Sequence, residues 1–435
     1  MKYFKNIIFW NKLHLDEQKK ILSRPILKEN NFIKKTVKEI IENVRLFGNS
    51  ALKKYTFLFD KQDINTFQVS KEKISSSSFY LSKVLKDSIS VAQKNITCFH
   101  KAQIPSKIDV ETEVGVRCEQ IYLPLNSIGI YIPGGTAPLF STVLMLAIPA
   151  KISGCKKIIL CSPPPISNEV LYAAHICGIH DIYQVGGAQA IAALALGTET
   201  VPKVDKIFGP GNAYVTEAKL QVSSIFNGTE IDMLAGPSEL LIIADNTANP
   251  DFIAADLLSQ AEHGVSSQVI LLTPCFELAE NVVLSINKQL NNLSRLSEIL
   301  KTLKNSSVII VKNLSECIEI SNMYAPEHLI IQTQSPREVL NYISNASSIF
   351  LGLWSPESAG DYASGTNHVL PTYGKSITNS SLGLCDFQKR VLVQELTAKG
   401  LMKLSNTIEI LSSAEKLQAH KNAVKIRVDF LKGKI

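Results

Sequence analysis

A glutamine and a histidine stand three residues apart near the middle of the chain, in the segment SQAEHG at 259–264. On a helix this spacing places Gln260 and His263 on one face, so that an amide oxygen and an imidazole nitrogen converge. Such a pair can hold a divalent metal ion. The alternatives are that His263 is a helix-terminal histidine favoured by the helix dipole, and that Gln260 is a structural hydrogen-bonding residue.

A glycine-rich segment, GDYASGTNH at 360–368, offers a carboxylate that complements this pair. Zinc accepts histidine nitrogen and carboxylate oxygen in roughly tetrahedral sites, and catalytic zinc sites leave one position for water or substrate. His263, Asp361 and one further histidine would therefore suffice for a zinc site. Manganese and cobalt accept the same ligand types.

A second pair, Glu327 and His328, combines two groups that move protons. Histidine can take a proton from an alcohol near neutral pH, and glutamate can activate water. Adjacent residues of a strand point to opposite faces, so both can serve one site only if they lie in a loop, which Pro326 favours. The alternative is a surface glutamate beside a satisfied histidine at the start of a strand.

Glycine turns at Gly134, Gly186 and Gly209 follow short apolar segments. The chain has no GxGxxG motif, but such turns let the backbone approach a dinucleotide phosphate. Gln189 and Asn212 each stand at the start of a helix that follows one of these turns. Alternatively, the turns only end strands, as they do in any α/β sheet.

These residues lie within an alternation of strands and helices that begins near Ile128 and repeats about every 25 residues, the size of a βα unit of a parallel sheet. Ligands of such sheets bind at the carboxyl ends of the strands. A second series begins at residue 240, and its first helix starts with an Asn249 cap and Pro250. The predicted strands are 128–132, 157–160, 182–185, 206–208, 240–244, 269–272, 308–311, 329–331 and 349–351.

The two ends of the chain are predicted to be helical. Residues 1–110 contain helical periodicity over 34–46 and 82–102, and Asn49-Ser50 can start another helix. From about Ser381 the tail is again expected to be helical, with Ser412 and Glu415 as a capping box.

Composition excludes several classes of protein. The 435 residues are 45% apolar and 19% charged, typical of a globular enzyme, and no apolar run reaches the ~20 residues of a membrane span. The N-terminus lacks the features of a signal peptide, which predicts a cytoplasmic protein. The net charge of +6 is dispersed, which argues against nucleic-acid binding. The eight cysteines form no CxxC pair, so buried free thiols are expected, with a Cys155–Cys161 redox pair as the alternative.

Five segments together resemble the histidinol dehydrogenase family, NAD-dependent enzymes of the last two oxidations of histidine biosynthesis. The segments are IPGGTAPLFSTVLM from Ile132, GPGNAYVTEAK from Gly209, the stretch 231–264 (IDMLAGPSELLIIADNTANPDFIAADLLSQAEHG), YAPEHL at 324–329 and GDYASGTNHVLPT at 360–372. The resemblance covers the whole chain.

The resemblance implies a role for each matching residue. It implies one zinc ion per subunit, held by Gln260, His263, Asp361 and, from the other subunit of a domain-swapped homodimer, His420. It implies that Glu327 and His328 are catalytic. The implied substrate contacts are Ser238, Gln260, His263, His328, Asp361, His368, Glu415 and His420, with Tyr362 a neighbour, and the implied NAD contacts are Tyr131, Gln189 and Asn212. Glu415 and His420 are five residues apart, about 140° around one helix, so they cannot share a narrow helix face.

The expected fold is α/β, with two consecutive Rossmann-like parallel-sheet domains, helical terminal extensions and a domain-swapped dimer. The expected domains are a helical N-terminal extension (1–25), a catalytic zinc domain (26–129 plus 237–380), an incomplete Rossmann-like NAD-binding domain (130–236) and a helical tail (381–435) that contributes to the partner's active site.

The implied reaction is a four-electron oxidation of L-histidinol to L-histidine through L-histidinal, in which His328 takes the hydroxyl proton and Glu327 activates water. No nucleic-acid or membrane partner is expected. Three alternatives stay open at this point: a related zinc- and NAD-dependent dehydrogenase of another small diol or amino alcohol, a zinc hydrolase with Glu327 as general base, and a non-catalytic binding protein.

Overall fold

The computed structural model describes residues 4, 6–24, 31–135, 138–225, 228–233 and 236–434. Parts of the predicted N-terminal extension and of two motifs, at 136–137 and 234–235, lie outside these ranges. Among the described residues no helix combines the length and apolarity that crossing a membrane requires.

Helices cover much of the described chain. Numbered in chain order, they are α1 Leu15–Leu22, α2 Asn31–Tyr55, α3 Lys71–Ser76, α4 Lys83–Lys101, α5 Phe140–Ser153, α6 Asn168–Ile176, α7 Gly187–Leu196, α8 Ala213–Ser223, α9 Pro250–Ala261, α10 Phe276–Gln289, α11 Leu296–Leu303, α12 Leu314–Tyr324, α13 Pro336–Leu340, α14 Glu357–Tyr362, α15 Ala398–Ala414 and α16 Gln418–Leu431. One π-helical turn, Thr56–Asp60, follows α2, and short 3-10 turns occupy Trp10–Lys12, Ser77–Tyr80, Leu290–Asn292, Lys375–Ile377 and Leu384–Phe387.

Strands form three sheets. In chain order they are β1 Ile7–Phe9, β2 Ile108–Glu113, β3 Val116–Pro124, β4 Ser127–Tyr131, β5 Lys157–Ser162, β6 Asp181–Gln184, β7 Lys206–Phe208, β8 Glu230–Ile231, β9 Glu239–Ala244, β10 Gln268–Thr273, β11 Ser307–Ile310, β12 His328–Gln332, β13 Ser348–Leu351 and β14 Gln388–Leu396. Each predicted strand is present within two residues of its expected bounds.

Two of the sheets are parallel, as predicted, and they share one strand order. The five-stranded sheet runs β6-β5-β4-β7-β8, and the six-stranded sheet runs β1-β11-β10-β9-β12-β13. If the first strand of each series is numbered 1, both orders read 3-2-1-4-5, and β1 extends the larger sheet at its edge. This is the order of a Rossmann half-fold lacking its last strand, and its direction reverses beside strand 1.

Burial explains why these segments form central strands. Every residue of β9, β10 and β12 is buried, and their sequences are nearly continuous runs of Leu, Ile and Val. Such runs are typical of parallel strands covered by helices on both faces. The helix α9 begins as predicted, with the Asn249 side chain accepting from the Asp251 N–H and Pro250 in the first turn.

The predictions for the chain ends need correction. The N-terminal segment includes a strand, β1, which pairs with β11 about 300 residues away. Residues 108–124 pair with β14 in a small antiparallel sheet, so the tail contains a nine-residue strand before its helices. The predicted helix start at Asn49 is present as a break in α2, where Gly48 adopts φ 48°.

The predicted capping box at Ser412 is wrong. Ser412 lies inside α15, where its hydroxyl donates to the Ile408 carbonyl, and α16 has no side-chain cap. Glu415 is the C-cap of α15, and Lys416 then adopts φ 62°. Glu415 and His420 therefore belong to different helices, so the angle expected between them on one helix does not apply.

The early helices pack differently from the predicted domain grouping, which joined residues 26–129 to the later sheet. The helix α2 packs on α7 and α8, and α4 packs on α5, so both cover the five-stranded sheet. The cysteines are all free: Cys155, Cys161, Cys177 and Cys317 are buried as expected, but Cys98 and Cys385 are exposed.

Candidate active site

The candidate acid–base pair, Glu327 and His328, lies at the amino end of β12, between β9 and β13. His328 is the first residue of the strand and pairs with Leu240 and Ser348. Glu327 precedes the strand, after Ala325 with φ 51° and Pro326. This turn lets both side chains face one site, and His328 Nδ1 lies 3.5 Å from Glu327 Oε2. Ligands of parallel sheets were expected at the carboxyl ends of the strands, but in this sheet the candidate site lies at the amino ends.

The surroundings of His328 fix its tautomer. Its Nδ1 lies 3.1 Å from the Glu239 carbonyl oxygen and 3.6 Å from Glu357 Oε1. These neighbours and Glu327 Oε2 all accept hydrogen bonds, so Nδ1 carries the proton. The other nitrogen, Nε2, faces Asp361, whose Oδ1 is 4.0 Å away. Nε2 is thus the atom of His328 that is available to a ligand.

Burial and carboxylates act in opposite directions on the charge of His328. Burial disfavours the imidazolium, but Glu357, Glu327 and Asp361 outweigh it and raise the pKa of His328 to about 10. For Glu357, burial raises the pKa to about 8, and the neighbouring charge of His328 opposes this rise. These side chains form a dense cluster whose charges depend on one another.

Gln260 lies fully buried beside this pair. The Glu357 carboxylate only accepts hydrogen bonds, so the Gln260 amide nitrogen faces it and donates to Oε1. The amide oxygen then accepts from the Glu239 N–H at 3.1 Å, and it lies 3.4 Å from His328 Nδ1. The structure therefore places Gln260 in contact with His328 and Glu357.

The backbone of Glu239 organises the site, and an ion pair fixes Glu239. Its N–H donates to Glu327 Oε2 at 2.8 Å, and its carbonyl faces His328. The Glu239 carboxylate accepts from Arg24 Nε at 2.5 Å and from another Arg24 nitrogen at 2.9 Å. Arg24 also donates to the Tyr324 carbonyl at 2.6 Å and lies over that ring. Ser238, half-buried, directly precedes Glu239.

The segment that carries Asp361 and His368 contacts α5, a helix that packs on the five-stranded sheet. His368 Nδ1 lies 2.8 Å from the Asp361 carbonyl, and His368 Nε2 lies 3.1 Å from the Thr142 hydroxyl at the start of α5. Burial lowers the pKa of His368; the charge and the carbonyl of Asp361 oppose this, and the charges of His328 and His263 add to the lowering. Asp361, His368 and His263 thus border one region, while Tyr362 beside them is 56% exposed.

Three ligand atoms of this cluster suit a metal ion. Atoms of His328, Glu357 and Asp361 lie within 4.8 Å of one another. Glu357 Oε2 is buried and has no hydrogen-bond partner among the described residues, and such an orphaned acceptor fits a cation nearby. The donor set of imidazole and carboxylate is one that zinc accepts. The structure therefore places Asp361 with His328 and Glu357 in one candidate metal site, and Gln260 contacts the same His328 and Glu357.

The remaining predicted ligands lie farther out. His263 is exposed just beyond the end of α9, which finishes at Ala261 rather than at His263. His420 and Glu415 are exposed on the C-terminal arm. Among the residues that the structure describes, neither makes a hydrogen bond or ion pair with the cluster.

The predicted nucleotide contacts gather at the carboxyl edge of the five-stranded sheet. Tyr131 ends β4, and its hydroxyl accepts from the Gly187 N–H at 3.0 Å. Gln189 is 1% exposed, and both of its amide atoms lack partners among the described residues. Asn212 caps α8 through the Tyr214 and Val215 N–H groups. A buried amide without partners fits a polar ligand at this edge.

Three residues of the site, Glu357, Glu239 and Arg24, are not predicted from the sequence. Glu357 had a signal, because it stands four residues before Asp361, the spacing that puts two side chains on one helix face. Glu239 lies within the stretch 231–264 that carries the resemblance. Its ion pair with Arg24 joins residues 215 positions apart, which no local pattern indicates.

An acid–base cluster with metal-type ligands lies on one sheet, and an edge that fits a nucleotide lies on the neighbouring sheet, an arrangement suited to an NAD-dependent oxidoreductase. A family profile described as histidinol dehydrogenase matches residues 23–428. The chain is 72% identical over 435 residues to a histidinol dehydrogenase of Buchnera aphidicola subsp. Schizaphis graminum, with 100% of both chains covered. It is 58% identical over 429 residues to that of Escherichia coli K12, covering 99% of each.

A solved structure agrees with this result. The crystal structure of histidinol dehydrogenase from Elizabethkingia anophelis superposes with a TM-score of 0.95 at 44% identity and covers 99% of each chain. The chain belongs to the histidinol dehydrogenase family. The resemblance predicted from five motifs is confirmed, and the alternatives of another diol dehydrogenase, a hydrolase or a binding protein are not favoured.

Proposed function

We propose that the cluster around His328 oxidises L-histidinol to L-histidine through L-histidinal, with two NAD⁺ and one water consumed. The observation that carries this proposal is the convergence of Glu327, His328, Gln260 and Asp361 at one strand end. His328 is the base: its Nδ1 proton is held by the Glu239 carbonyl. The carboxylates alone outweigh burial and raise the pKa of His328 to about 10, and a metal cation held by Asp361 would offset their charge, so that Nε2 is left free to take the substrate's hydroxyl proton.

Glu327 serves the second oxidation. Its Oε2 is held by the Glu239 N–H at 2.8 Å, so the carboxylate has a fixed position from which to activate water against the bound aldehyde. His328, which has by then released its first proton to water, takes the proton of the hydrate hydroxyl as the second hydride leaves. Both side chains are nearly buried, so the site keeps a reactive amino aldehyde away from solvent.

A zinc ion fits this arrangement. We propose that Gln260, His263 and Asp361 hold it with His420 of the partner subunit, and that Glu357 fixes the Gln260 amide so that its oxygen faces the site. Bound zinc would supply a Lewis acid that orients the substrate's nitrogen groups. Ser238 and His368 border the same region and would contact the substrate, with Glu415 of the partner subunit.

The C-terminal arm, residues 388–431, supports a homodimer with shared sites. The helices α15 and α16 pack mainly on each other and leave large apolar side chains exposed, including Leu411 at 60% and Phe430 at 68%. Exposed apolar surface of this kind is typical of a protein interface. A second copy of the chain would cover it and bring His420 and Glu415 to the neighbouring site. We further propose that the protein acts in the cytoplasm.

One experiment tests the reaction and the metal together. NADH formation is followed on addition of L-histidinol to the purified protein, after a chelator and after addition of Zn²⁺, Mn²⁺ or Co²⁺. Activity should disappear with the metal and return with Zn²⁺. A protein that binds NAD⁺ but forms no NADH from L-histidinol in any metal state would contradict the proposal.

Glu327→Gln tests the division of labour. Alcohol oxidation should be spared more than aldehyde oxidation, because only the second step needs activated water. The two steps are measured separately with L-histidinol and L-histidinal. Equal losses in both would argue against a water-activating role.

Mixed dimers test the shared site. His263→Asn and His420→Phe variants should each be inactive, and mixing them should restore part of the activity, since one of the two sites regains both native ligands. Lack of recovery after verified subunit exchange would contradict ligands from two chains.

A further inference from the structure

A carboxylate without a partner lies near the nucleotide edge and has no role so far. Asp60 ends the π-helical turn after α2, just before Lys61, which adopts φ 56°. Asp60 Oδ2 is buried and has no hydrogen-bond partner among the described residues. Burial raises the pKa of Asp60 to about 6. A buried carboxylate oxygen without a donor costs stability, and a bound ligand that donates hydrogen bonds to it would offset this cost.

Asp60 lies near Tyr131, because Tyr55 and Ile64, on either side of the Asp60 turn, belong to one buried cluster with Tyr131. Burial raises the pKa of the Tyr131 phenol, and the nearby charge of Asp60 raises it further. The Tyr131 hydroxyl accepts from the Gly187 N–H, and the Gln189 amide oxygen lies 2.8 Å from where a Gly187 side chain would begin. Asp60 therefore lies near Tyr131, and Tyr131 leads through Gly187 to Gln189. The Gln189 amide is the second buried group without a partner among the described residues.

This position is the switch point of the five-stranded sheet. Tyr131 ends β4, whose neighbours β5 and β7 diverge in strand order. Parallel sheets bind nucleotides in this crevice, where an acidic residue accepts from ribose hydroxyls. The loops that follow the strands of this sheet supply backbone turns and side-chain amides. Asp60 adds a carboxylate from the turn after α2, the helix that packs against α7 and α8.

We propose that the Asp60 carboxylate binds a ribose diol of NAD⁺. A carboxylate only accepts hydrogen bonds, and two neighbouring ribose hydroxyls are two donors that its oxygens can take together. NAD⁺ carries this group on its adenosine side and on its nicotinamide side. The inference rests on the proposed use of NAD⁺ and adds a binding residue to it.

A ligand-binding role and a structural role predict opposite results for Asp60→Asn. If the carboxylate stabilised the fold, its removal would lower the melting temperature. If it binds ribose, the variant should melt at the wild-type temperature or higher, because an unpartnered charge is lost, while its affinity for NAD⁺ falls. The matched control is Asp63→Asn, which removes the same charge from a side chain that is 71% exposed and paired with Lys53.

The experiment is calorimetric titration of the full-length protein, metal-loaded, with NAD⁺, ADP and NMN⁺. Asp60→Asn should weaken NAD⁺ binding about 10- to 100-fold, the range for losing charged hydrogen bonds, and Asp63→Asn should not. Weaker binding of ADP assigns the adenosine ribose, and weaker binding of NMN⁺ assigns the nicotinamide ribose. Wild-type affinity of Asp60→Asn for NAD⁺ overturns the inference. A wild-type protein that binds no NAD⁺ would instead overturn the proposed function.

Discussion

The two parallel sheets share a strand order but differ in the edge that carries the candidate chemistry. In the five-stranded sheet, Tyr131 and the turn before Gly187 lie at the carboxyl ends of strands. In the six-stranded sheet, His328 and Glu239 are the first residues of β12 and β9, so the cluster lies at the amino ends. In the five-stranded sheet Tyr131 and Asn212 follow strands 1 and 4 of the common order and the turn before Gly187 follows strand 3, whereas in the six-stranded sheet the cluster lies at the start of strands 1 and 4.

The polar groups at these edges are also in different states. At the amino edge, Glu327, Gln260 and Glu239 hold one another through hydrogen bonds. At the carboxyl edge, Gln189 and Asp60 retain buried atoms without partners among the described residues. The comparison indicates that the strand order predicts where a crevice lies in each sheet. The side chains determine whether that crevice suits proton transfer or ligand binding. One edge is preorganised for proton transfer, and the other is suited to a ligand that supplies the missing partners.

The largest expected difference between the two edges follows from removing His328, which should lower catalysis and leave NAD⁺ binding unchanged. His328→Asn is expected to lower kcat for both oxidations by about 10²- to 10⁴-fold, because a positioned base contributes that much. NAD⁺ affinity should stay at the wild-type value, since the cofactor edge is untouched. Steady-state kinetics and calorimetry check the two parts. His180→Asn, at an exposed histidine, is the control, and a large loss of NAD⁺ binding in His328→Asn would show that the edges are not independent.

Removing Arg24 should loosen the amino edge alone. Arg24→Met leaves the buried Glu239 carboxylate without its cation, so the free energy of unfolding should fall by about 3–5 kcal/mol, and kcat should fall as Glu327 and His328 lose their fixed backbone partner. Urea unfolding and kinetics measure both effects. Arg45→Met, which breaks an exposed pair with Glu42, should cost about 1 kcal/mol or less. Equal costs for the two variants would contradict the role of the Arg24 ion pair.

A smaller effect is expected at Asp256, one turn before Gln260 on α9. Burial raises the pKa of Asp256 to about 7 from 3.8, so the folded state holds a proton that the unfolded state has already lost. The stability from this proton is complete below about pH 4 and is lost as the pH rises through about 7.

Asp256→Asn should therefore stabilise the protein at pH 8 and have little effect at pH 4. We expect about 2 kcal/mol, less than the ~4 kcal/mol of the whole shift, because the buried amide is still desolvated. Urea unfolding at both pH values measures it. A pH-independent difference would show that the charge of Asp256 is not the cause.

Local signals predicted the strands, the start of α9 and most of the site, because apolar runs, caps and the Glu-His pair are encoded within a few residues. The resemblance supplied the roles that spacing left open at His263 and Gln260. Long-range pairing could not be predicted: β1 joins β11, β14 joins β3, and Arg24 joins Glu239. For these contacts the local sequence is compatible with several partners, and only the assembled core selects one. Ser412 and Glu415 matched a capping pattern, but the helix continues through Ser412.

The pairing of β1 with β11 has a consequence for the order in which the protein is made. The five-stranded sheet uses one continuous stretch, 127–231, and can form as that stretch leaves the ribosome. The six-stranded sheet cannot form in this way, because its edge strand at 7–9 is synthesised about 300 residues before its partner at 307–310, and Arg24 is synthesised long before Glu239. Because domains fold as synthesis proceeds, the candidate nucleotide edge can be complete in the nascent chain before the residues of the candidate active site have come together.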